Sequence, residues 1–384
     1  MRNLPRYLLL LSMIMALIAS DARTARSEEL PLFISSFAAG EEGGIQAATL
    51  DLTSGLLKLG HRTTGVENPF FLALSPDRKF LYSIHAKNFG GKDPEQVAAY
   101  AVVGNAGELK LLNRQSTHGT ASCYLEVDAS GKSLLVANYA TGNVAALPIQ
   151  ADGSLGEAAS VIRHVGRSID PDRQKGAFAH CIVRSPDNRF ALAADLGIDK
   201  VLIYALDSET AQLTPHRQPF VRTVPGSGPR HLTFHPNGKH VYVINELSNS
   251  VTMFDYLAEQ GFLIEQETRP TVPMLGKDEK SYCADLKITP NGKFLYGTNR
   301  GHDSIACFSL GNDGHMSRIE IVPSLGKGPQ NLAITPGGEY LVCANMPGDN
   351  VAVFRIDPAT GKLTKVGEPV TVKGPSCIMQ VIGK

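Results

Sequence analysis

The feature that most constrains this chain is a phrase that recurs six times: an apolar run, a tight turn, a second apolar run and a polar residue. The turns begin at Pro76, Ala129, Pro186, Pro236, Pro290 and Pro336, which lie 46 to 57 residues apart. The polar residues stand nine places later, at His85, Asn138, Asp195, Asn245, Asn299 and Asn345. A third apolar run follows, and no helical pattern alternates with these segments. Four short strands in a unit of this length are typical of one blade of a β-propeller.

The two ends of the chain complement the six copies. Residues 374–379 repeat the opening of a first strand, as seen in 228–233, but no turn or second strand follows them. Near the N-terminus, residues 30–36, 45–51 and 56–62 have the pattern of a second, a third and a fourth strand. We therefore predict an all-β, seven-bladed β-propeller over residues 30–384, whose last blade is closed by N- and C-terminal strands.

The first 22 residues have the order of a secretory signal peptide. Arg2 and Arg6 precede an apolar run over residues 7–19, and small residues follow at Ser20 and Ala22. This order predicts cleavage after Ser20 or Ala22, and the run is short for a membrane span. A retained anchor is the alternative. The expected product is an exported protein, periplasmic or secreted, with no integral membrane association after cleavage.

Composition excludes several partner classes. Lys plus Arg and Asp plus Glu both number 37, so no field of one sign would recruit nucleic acid or an anionic membrane. The six cysteines include no C-x-x-C pair and no metal-ligand spacing, and the repeat places them in strands as small buried residues. One incidental disulfide is compatible with this pattern, but a disulfide framework is not. The sequence calls for no metal and no cofactor, and it leaves the oligomeric state open.

Certain positions that are small or apolar in most copies become ionisable in three consecutive copies. These positions lie six and five residues before the turn and ten residues after it, and they hold His180, Arg230, His231, Glu246, Asp285 and Arg300. The repeat itself does not require these residues, because sister copies lack them, and buried charges need partners or water. Any one of them could form a structural ion pair. As a set they predict a functional site on one arc of one face, whereas the recurring polar residue nine places after each turn predicts an architectural hydrogen bond.

The chemistry of this set favours an anionic small molecule. Two arginines, two imidazoles and two carboxylates include no hydroxyl or thiolate nucleophile, and the sequence lacks G-x-S-x-G, P-loop and H-E-x-x-H motifs. Arginine binds carboxylate or phosphate through a planar fork. Glu246 or a histidine could act as a general base on water, and Arg230 or Arg300 could stabilise an oxyanion. Hydrolysis of a lactone, an ester primed by its ring, requires no more than this.

Four segments carry a resemblance to a known family. Residues 195–197, 228–232, 245–247 and 299–305, the last reading Asn-Arg-Gly-His-Asp-Ser-Ile, resemble the seven-bladed propeller lactonases. That family includes bacterial 6-phosphogluconolactonases and is similar to fungal carboxy-muconate lactonising enzymes. The resemblance implies a metal-independent lactone site with His180, Arg230, Glu246 and Arg300 as catalytic residues. It implies His231 and Asp285 as substrate-binding residues.

Two departures from the family pattern bear on the substrate. Family members often have a second histidine just before the one that matches His180, where this chain reads Ala177-Phe178-Ala179. The signal-like N-terminus also places the protein outside the cytosol, where 6-phosphogluconolactone is made. We therefore expect another sugar-derived or carboxylated lactone as the substrate.

Alternative functions remain open at this level. A cycloisomerase could use the same residues to form or open a muconolactone. A non-catalytic propeller could instead bind a partner protein or polymer on one face. A quinone- or metal-bearing oxidoreductase is disfavoured, because the chain has no Trp and no ligand cluster.

Overall fold

A computed structural model describes residues 29–104, 107–276 and 278–381. These residues form seven four-stranded antiparallel sheets and one 3₁₀ turn at Gly40–Glu42, which confirms the predicted β-propeller. The predicted signal peptide over residues 1–22 lies outside the described residues, as do residues 382–384 at the end of the predicted domain. No helix in the described ranges is both long and apolar enough to cross a membrane.

We number strands in chain order and blades from the first copy of the repeat, and each blade is given from its inner to its outer strand. Blades 1 and 2 consist of β4 (Leu72–Leu74), β5 (Phe80–His85), β6 (Gln96–Val103) and β7 (Glu108–Ser116), and of β8 (Ser122–Val127), β9 (Ser133–Asn138), β10 (Asn143–Pro148) and β11 (Ser160–Arg163). Blades 3 to 5, which carry the candidate residues, consist of β12 (Ala179–Arg184), β13 (Phe190–Asp195), β14 (Lys200–Asp207) and β15 (Gln212–Arg222); of β16 (Pro229–Phe234), β17 (His240–Asn245), β18 (Ser250–Leu257) and β19 (Phe262–Pro270); and of β20 (Tyr282–Ile288), β21 (Phe294–Arg300), β22 (Ser304–Leu310) and β23 (Met316–Pro323). Blades 6 and 7 consist of β24 (Pro329–Ile334), β25 (Tyr340–Asn345), β26 (Asn350–Ile356) and β27 (Leu363–Thr371), and of β28 (Pro375–Gln380), β1 (Glu29–Ser36), β2 (Gly44–Asp51) and β3 (Leu57–Thr64).

Blade 7 joins the two ends of the chain, as predicted. Its inner strand β28 pairs antiparallel with β1, with Ile378 opposite Ile34. The backbone N–H of Phe37 donates to the Gly374 carbonyl oxygen at 2.7 Å. The inner strand β28 also lies beside both β24 and β4, so the ring of inner strands is closed. Closure leaves the sheet of blade 7 dependent on the C-terminal strand β28.

Tyrosines in the second strands connect each of four blades to the next one. Their rings are fully or almost fully buried, and their hydroxyls donate to a carbonyl oxygen in the outer hairpin of the following blade. The bonds are Tyr82 to Gly153 (3.1 Å), Tyr242 to Gly314 (2.6 Å), Tyr296 to Gly361 (2.8 Å) and Tyr340 to Thr53 (3.2 Å). Because an unpaired buried hydroxyl would be costly, these bonds help to fix the rotation of one blade against its neighbour.

The recurring polar residue serves the architecture of each blade. The Asn345 amide donates to the Ser324 carbonyl oxygen at 3.0 Å, and Asp195 accepts the Phe178 backbone N–H at 2.7 Å. In both cases the side chain holds the connection that enters the blade. Four residues later, Asp199 and Asp303 adopt the left-handed conformation with φ of 51°, as a turn residue at this place must.

All six cysteines lie in described strands and are buried and unpaired. Cys123, Cys181, Cys283 and Cys377 lie in inner strands, Cys343 in a second strand and Cys307 in a third strand. This confirms their expected role as small core residues.

Candidate active site

The inner strands of the seven blades surround the central channel of the ring. Because the first two strands of a blade are antiparallel, the start of one lies beside the end of the other, as where Tyr282 pairs with Arg300. His180, Arg230, Glu246 and Arg300 come from these strand ends, so the fold collects them at one end of the channel, whereas His231 and Asp285 lie further along β16 and β20. We call this end the Glu246 mouth and define it by Arg173, His180, Arg230, Glu246 and Arg300.

Bulges in the inner strands turn the site residues into the channel. The register of β12 on β13 shifts between Ala179 and Cys181, so His180 is the extra residue of a β-bulge. The same kind of shift makes Arg230 the extra residue in β16, and β20 has a shift at Asp285. A bulge breaks the alternation of side chains along a strand and so lets neighbouring residues face the same side.

Glu246 lies at the centre of three arginines. Its Oε2 accepts hydrogen bonds from Arg230 Nε at 3.0 Å and from Arg300 Nη2 at 2.7 Å. Its Oε1 accepts one from Arg173 Nη2 at 2.6 Å. Only 1% of the Arg230 side chain is exposed, against 35% for Arg173 and 27% for Arg300. Arg173 and Arg300 are therefore the two that can reach a ligand in the channel mouth.

The arginines determine the charge of Glu246. Burial alone would raise the pKa of this carboxyl, but Arg300, Arg230 and Arg173 together lower it to about 2. Burial and the neighbouring Arg300 lower the pKa of Arg230 to about 10, which leaves it protonated at neutral pH. Three cations around one carboxylate leave a surplus of two positive charges at this mouth. Such a surplus favours a ligand or an intermediate that carries negative charge.

A buried chain of hydrogen bonds fixes Arg230 from below. Its Nη1 lies 3.1 Å from His231 Nε2 and 2.5 Å from the Ala284 carbonyl oxygen, to which it donates. His231 Nδ1 lies 2.9 Å from Asp285 Oδ1, and Lys287 Nζ lies 2.7 Å from Asp285 Oδ2. Because Arg230 can only donate, His231 must accept at Nε2 and donate from Nδ1 to Asp285.

The charges along this series of hydrogen bonds agree with that tautomer of His231. Burial and the adjacent Arg230 lower the pKa of His231 to about 4, so its imidazole is neutral at physiological pH. Burial opposes ionisation of Asp285, but Lys287 and His231 hold its pKa far below the usual range. His231 and Asp285 are almost fully buried. The two residues expected to bind substrate thus contact Arg230 and Lys287.

His180 is the remaining member of the predicted set. Its Nδ1 lies 3.6 Å from Cys123 Sγ, and its ring packs edge-on against Tyr139 with centroids 5.2 Å apart. Within the described residues its Nε2 makes no hydrogen bond. Burial and the charge of Arg230 hold the pKa of His180 well below its ordinary value, so the ring is neutral. Burial also raises the pKa of the Cys123 thiol far above its ordinary value, so it is not a thiolate nucleophile.

Several residues of this mouth escaped the comparison of repeat copies. Arg173 lies in the long connection between β11 and β12, which has no equivalent position in the other blades. Tyr139, which stacks on Phe178 with ring centroids 4.9 Å apart, occupies the same repeat position as Glu246 and Arg300 but is uncharged. The Arg173 guanidinium lies over the Tyr282 ring at 5.6 Å. The mouth therefore has aromatic walls suited to the face of a sugar ring.

A metal centre finds no support in the donor set. Among the residues that the structure describes, no three His, Cys, Asp or Glu side chains converge as a metal ion would require. The carboxylates at this mouth are instead engaged by arginine, lysine and histidine.

The whole ring matches a known family. A family model described as "Lactonase, 7-bladed beta-propeller" matches residues 31–380. The chain belongs to the seven-bladed β-propeller lactonase family. As a member it is a lactonase, and the resemblance stated from its four sequence segments is confirmed.

Named relatives cover nearly the whole lactonase. It is 34% identical over 349 residues to the 6-phosphogluconolactonase of Bacillus subtilis, an alignment that covers 90% of this chain and 97% of that protein. It is also 34% identical to the 6-phosphogluconolactonase of Formosa agariphila, with 90% and 98% covered. A solved structure of the Pseudomonas aeruginosa periplasmic gluconolactonase superposes with a TM-score of 0.85 at 31% identity. That match covers 92% of this chain and 99% of the other.

Proposed function

We propose that this lactonase hydrolyses a sugar-derived lactone at the Glu246 mouth, and that the lactone carries or develops negative charge. The observation that carries the proposal is the arrangement of three arginines on a single carboxylate, with a surplus of two positive charges. Hydrolysis of a lactone turns a neutral ester into a carboxylate through an anionic tetrahedral intermediate. Positive charge that is already in place stabilises that intermediate without reorganisation.

The arginines divide into two roles in this proposal. Arg300 and Arg173 are partly exposed and polarise the lactone carbonyl or hold an anionic substituent through their planar forks. Arg230 is fully buried and bonded on three sides, so it acts by orienting Glu246. His231 and Asp285 then act as positioning residues for Arg230.

His180 is the general base in this proposal. Its imidazole is neutral and its Nε2 has no hydrogen-bond partner within the described residues, so it can accept a proton from water. Glu246 was the other candidate from sequence. Both of its oxygens accept hydrogen bonds from arginines, which compete with a water molecule for them. Glu246 therefore anchors the arginines.

The proposed reaction balances without a cofactor. Water attacks the lactone carbonyl carbon while its proton passes to His180 Nε2. The carbonyl oxygen becomes an oxyanion facing Arg300 and Arg173. The ring C–O bond then breaks, and the ring oxygen takes the proton from His180, which regenerates the neutral imidazole. The product is an open-chain hydroxy acid.

We infer that the substrate is an aldonolactone met outside the cytoplasm. The signal-like order of residues 1–22 supports export, and a similar protein of Pseudomonas aeruginosa is called a periplasmic gluconolactonase. Relatives called 6-phosphogluconolactonases support a sugar lactone as the class. Expression of the full chain followed by mass determination of the mature N-terminus tests export, and a start at residue 21 or 23 is expected. A protein that retains residue 1 would overturn the export proposal.

A lactone panel tests the activity. Gluconolactone, 6-phosphogluconolactone and a muconolactone are followed at neutral pH, with background hydrolysis subtracted and products identified. His180→Gln and Arg300→Gln are expected to lower kcat at least about 100-fold with unchanged thermal midpoints. Arg189→Gln, which removes a charge on the opposite face, serves as the matched control. Full turnover in both site variants would overturn the assignment, as would conversion of the muconolactone alone by isomerisation.

A further inference from the structure

The central channel has a second mouth at the face of the turns between first and second strands. A cavity of about 450 Å³ opens there among the C-terminal ends of the inner strands β8, β12, β16 and β20. We call it the Glu126 mouth and define it by Tyr124, Glu126, Arg184, Phe234 and Lys287, all of which line the cavity. Its volume lies within the range of about 300 to 1,000 Å³ that small-molecule sites occupy.

An aromatic layer separates the two mouths. Tyr124 of blade 2 stacks on Phe71 of blade 1 with ring centroids 4.4 Å apart. Both rings contact the edge of His231 of blade 4, at 5.0 Å from Tyr124 and 6.0 Å from Phe71. Because these side chains meet across the channel, a ligand at the Glu126 mouth lies below the layer and not among the three arginines of the Glu246 mouth.

The repeat does not account for the charges at the Glu126 mouth. Three residues before the turn position, the successive copies have Ala73, Glu126, Val183, Thr233, Lys287 and Ala333. Two residues before it they have Leu74, Val127, Arg184, Phe234, Ile288 and Ile334. Sister blades form the same strand ends with uncharged side chains, so the fold does not need Glu126, Arg184 or Lys287 here.

One buried polar atom at this mouth is left without a partner. Arg184 Nε lies 3.7 Å from Glu126 Oε1, beyond hydrogen-bond distance, and this buried nitrogen has no hydrogen-bond partner in the structure. The Glu126 carboxylate accepts a hydrogen bond from the Arg184 backbone N–H, and its side chain is 25% exposed. Since buried polar groups are nearly always satisfied, a buried guanidinium nitrogen without a partner beside this cavity indicates a missing ligand.

We propose that the Glu126 mouth is a second ligand site of this protein, which binds a small oxyanion, a carboxylate or a phosphate, on the guanidinium of Arg184. The unpartnered Nε supplies one side of the planar fork that recognises such groups. Lys287 adds a positive charge on the far side of the cavity, where Asp285 holds its ammonium at 2.7 Å. Phe234 and Tyr124 offer apolar surface to the rest of the ligand.

Binding of an oxyanion here is coupled to protonation of Glu126. A second negative charge beside this carboxylate would be repelled, whereas the protonated carboxyl can donate a hydrogen bond to the ligand. Burial raises the pKa of Glu126 to about 7, against the opposing charges of Arg184 and Lys287. The other ionisable groups facing it are Asp128, Asp285, His235 and Tyr124, of which none carries a free positive charge toward it. The site therefore takes up its anion together with a proton.

Calorimetric titration of the purified full-length protein tests the proposal, with gluconate and inorganic phosphate as separate probes. Gluconate stays a monoanion between pH 6 and pH 8, so its pH dependence reports on the protein. A carboxyl of pKa about 7 is roughly 90% protonated at pH 6 and roughly 10% at pH 8, so gluconate affinity should fall about tenfold between them. Binding of either probe supports the site and identifies its chemistry, and binding of neither at pH 6 overturns it.

Four variants place the binding event. Arg184→Gln should abolish binding and Arg189→Gln, a charge removal on the same face outside the cavity, should preserve it. Glu126→Gln should bind at pH 8 as tightly as the parent protein binds at pH 6. Arg300→Gln should retain binding, because it alters only the Glu246 mouth. Binding that survives Arg184→Gln or is lost in Arg300→Gln overturns the proposal. Because gluconate is also the expected product at the Glu246 mouth, gluconate binding that is lost in Arg300→Gln and kept in Arg184→Gln would report the catalytic site alone.

Discussion

Two glutamates at opposite ends of one channel have opposite electrostatics. Glu246 contacts three arginines at hydrogen-bond distance, and its pKa falls to about 2. Glu126 lies 3.7 Å from a single arginine, and burial raises its pKa to about 7. Both belong to the inner part of the ring, so burial acts on both. The number of donors within reach decides which of them is a permanent anion.

The comparison separates two uses of a buried carboxylate. At the Glu246 mouth the carboxylate accepts a hydrogen bond from each of Arg173, Arg230 and Arg300 and so holds them in one array. This suits a site that must present fixed positive charge to a reaction. At the Glu126 mouth the carboxyl lies beyond hydrogen-bond distance of the Arg184 guanidinium and its pKa is close to neutral pH, which suits a site that responds to a ligand or to pH. The charge of Glu246 is therefore constant near neutral pH, whereas the charge of Glu126 changes there.

Removal of residues 374–384 should have the largest effect and abolish both mouths. The truncated chain loses β28, which leaves β1 unpaired on one edge and opens the ring between β24 and β4. We expect aggregation or loss of the cooperative thermal transition, measured by circular dichroism and size-exclusion chromatography. A truncated protein with the parent melting temperature would show that the ring does not need this closure.

Loss of the two glutamates should affect stability very differently. Glu246→Ala leaves three arginines around an empty position and should cost about 3–5 kcal/mol, with turnover lowered at least about 100-fold. Glu126→Gln should instead raise the free energy of unfolding at neutral pH by about 2–3 kcal/mol, because the neutral amide avoids the cost of ionising a buried carboxyl. Urea unfolding and lactone kinetics measure both. An equal loss of unfolding free energy in the two variants would contradict the proposed difference between the two glutamates.

Sequence comparison found the Glu246 mouth because its residues interrupt a regular pattern. His180, Arg230 and Glu246 each occupy a position at which most sister copies are not ionisable, and the fold brings those positions together. The same comparison could not find Arg173, because the connection that carries it has no counterpart in the repeat. It also could not show that bulges turn His180 and Arg230 into the channel, since a bulge changes register without a fixed residue signature.

The roles of individual residues were harder to predict than their location. His231 and Asp285 were expected to touch substrate, and their depth below Arg230 depends on packing that no spacing reveals. The charges at the Glu126 mouth were visible as exceptions in the repeat but lie nearer the turn than the positions that were compared. The ring and one site thus follow from periodicity, whereas hydrogen-bond saturation requires the structure.

The pH dependence of stability should distinguish the two glutamates with a smaller effect. Between pH 4.5, the ordinary value for Glu, and about 7, the folded protein binds a proton at Glu126 that the unfolded chain does not. Stability from this group is therefore lost as the pH rises through that window, by about 2–3 kcal/mol. Glu246 behaves oppositely: its contribution is present above pH 4.5 and is lost as the pH falls toward 2.

Thermal midpoints of the parent and of Glu126→Gln, measured from pH 3 to pH 8, test this. The variant should lose the decline between pH 4.5 and 7 and keep the steep loss at acidic pH. Parallel curves over the whole range would show that Glu126 titrates normally.

The smallest expected effect concerns two arginines of similar exposure. Arg173→Gln removes one of the two forks that can reach a ligand at the Glu246 mouth, and we expect KM for an anionic lactone to rise about tenfold. Arg184→Gln removes an equally exposed guanidinium at the other mouth and should leave KM unchanged, because the layer of Phe71, Tyr124 and His231 separates it from the reaction. Arg173→Lys restores the charge without the fork and should recover only part of the loss. Initial-rate kinetics on a neutral and an anionic lactone complete the comparison. A rise in KM for Arg173→Gln that is equal for both lactones would mean that this arginine does not bind the anionic substituent. An equal effect of Arg184→Gln would mean that the two mouths act as one site.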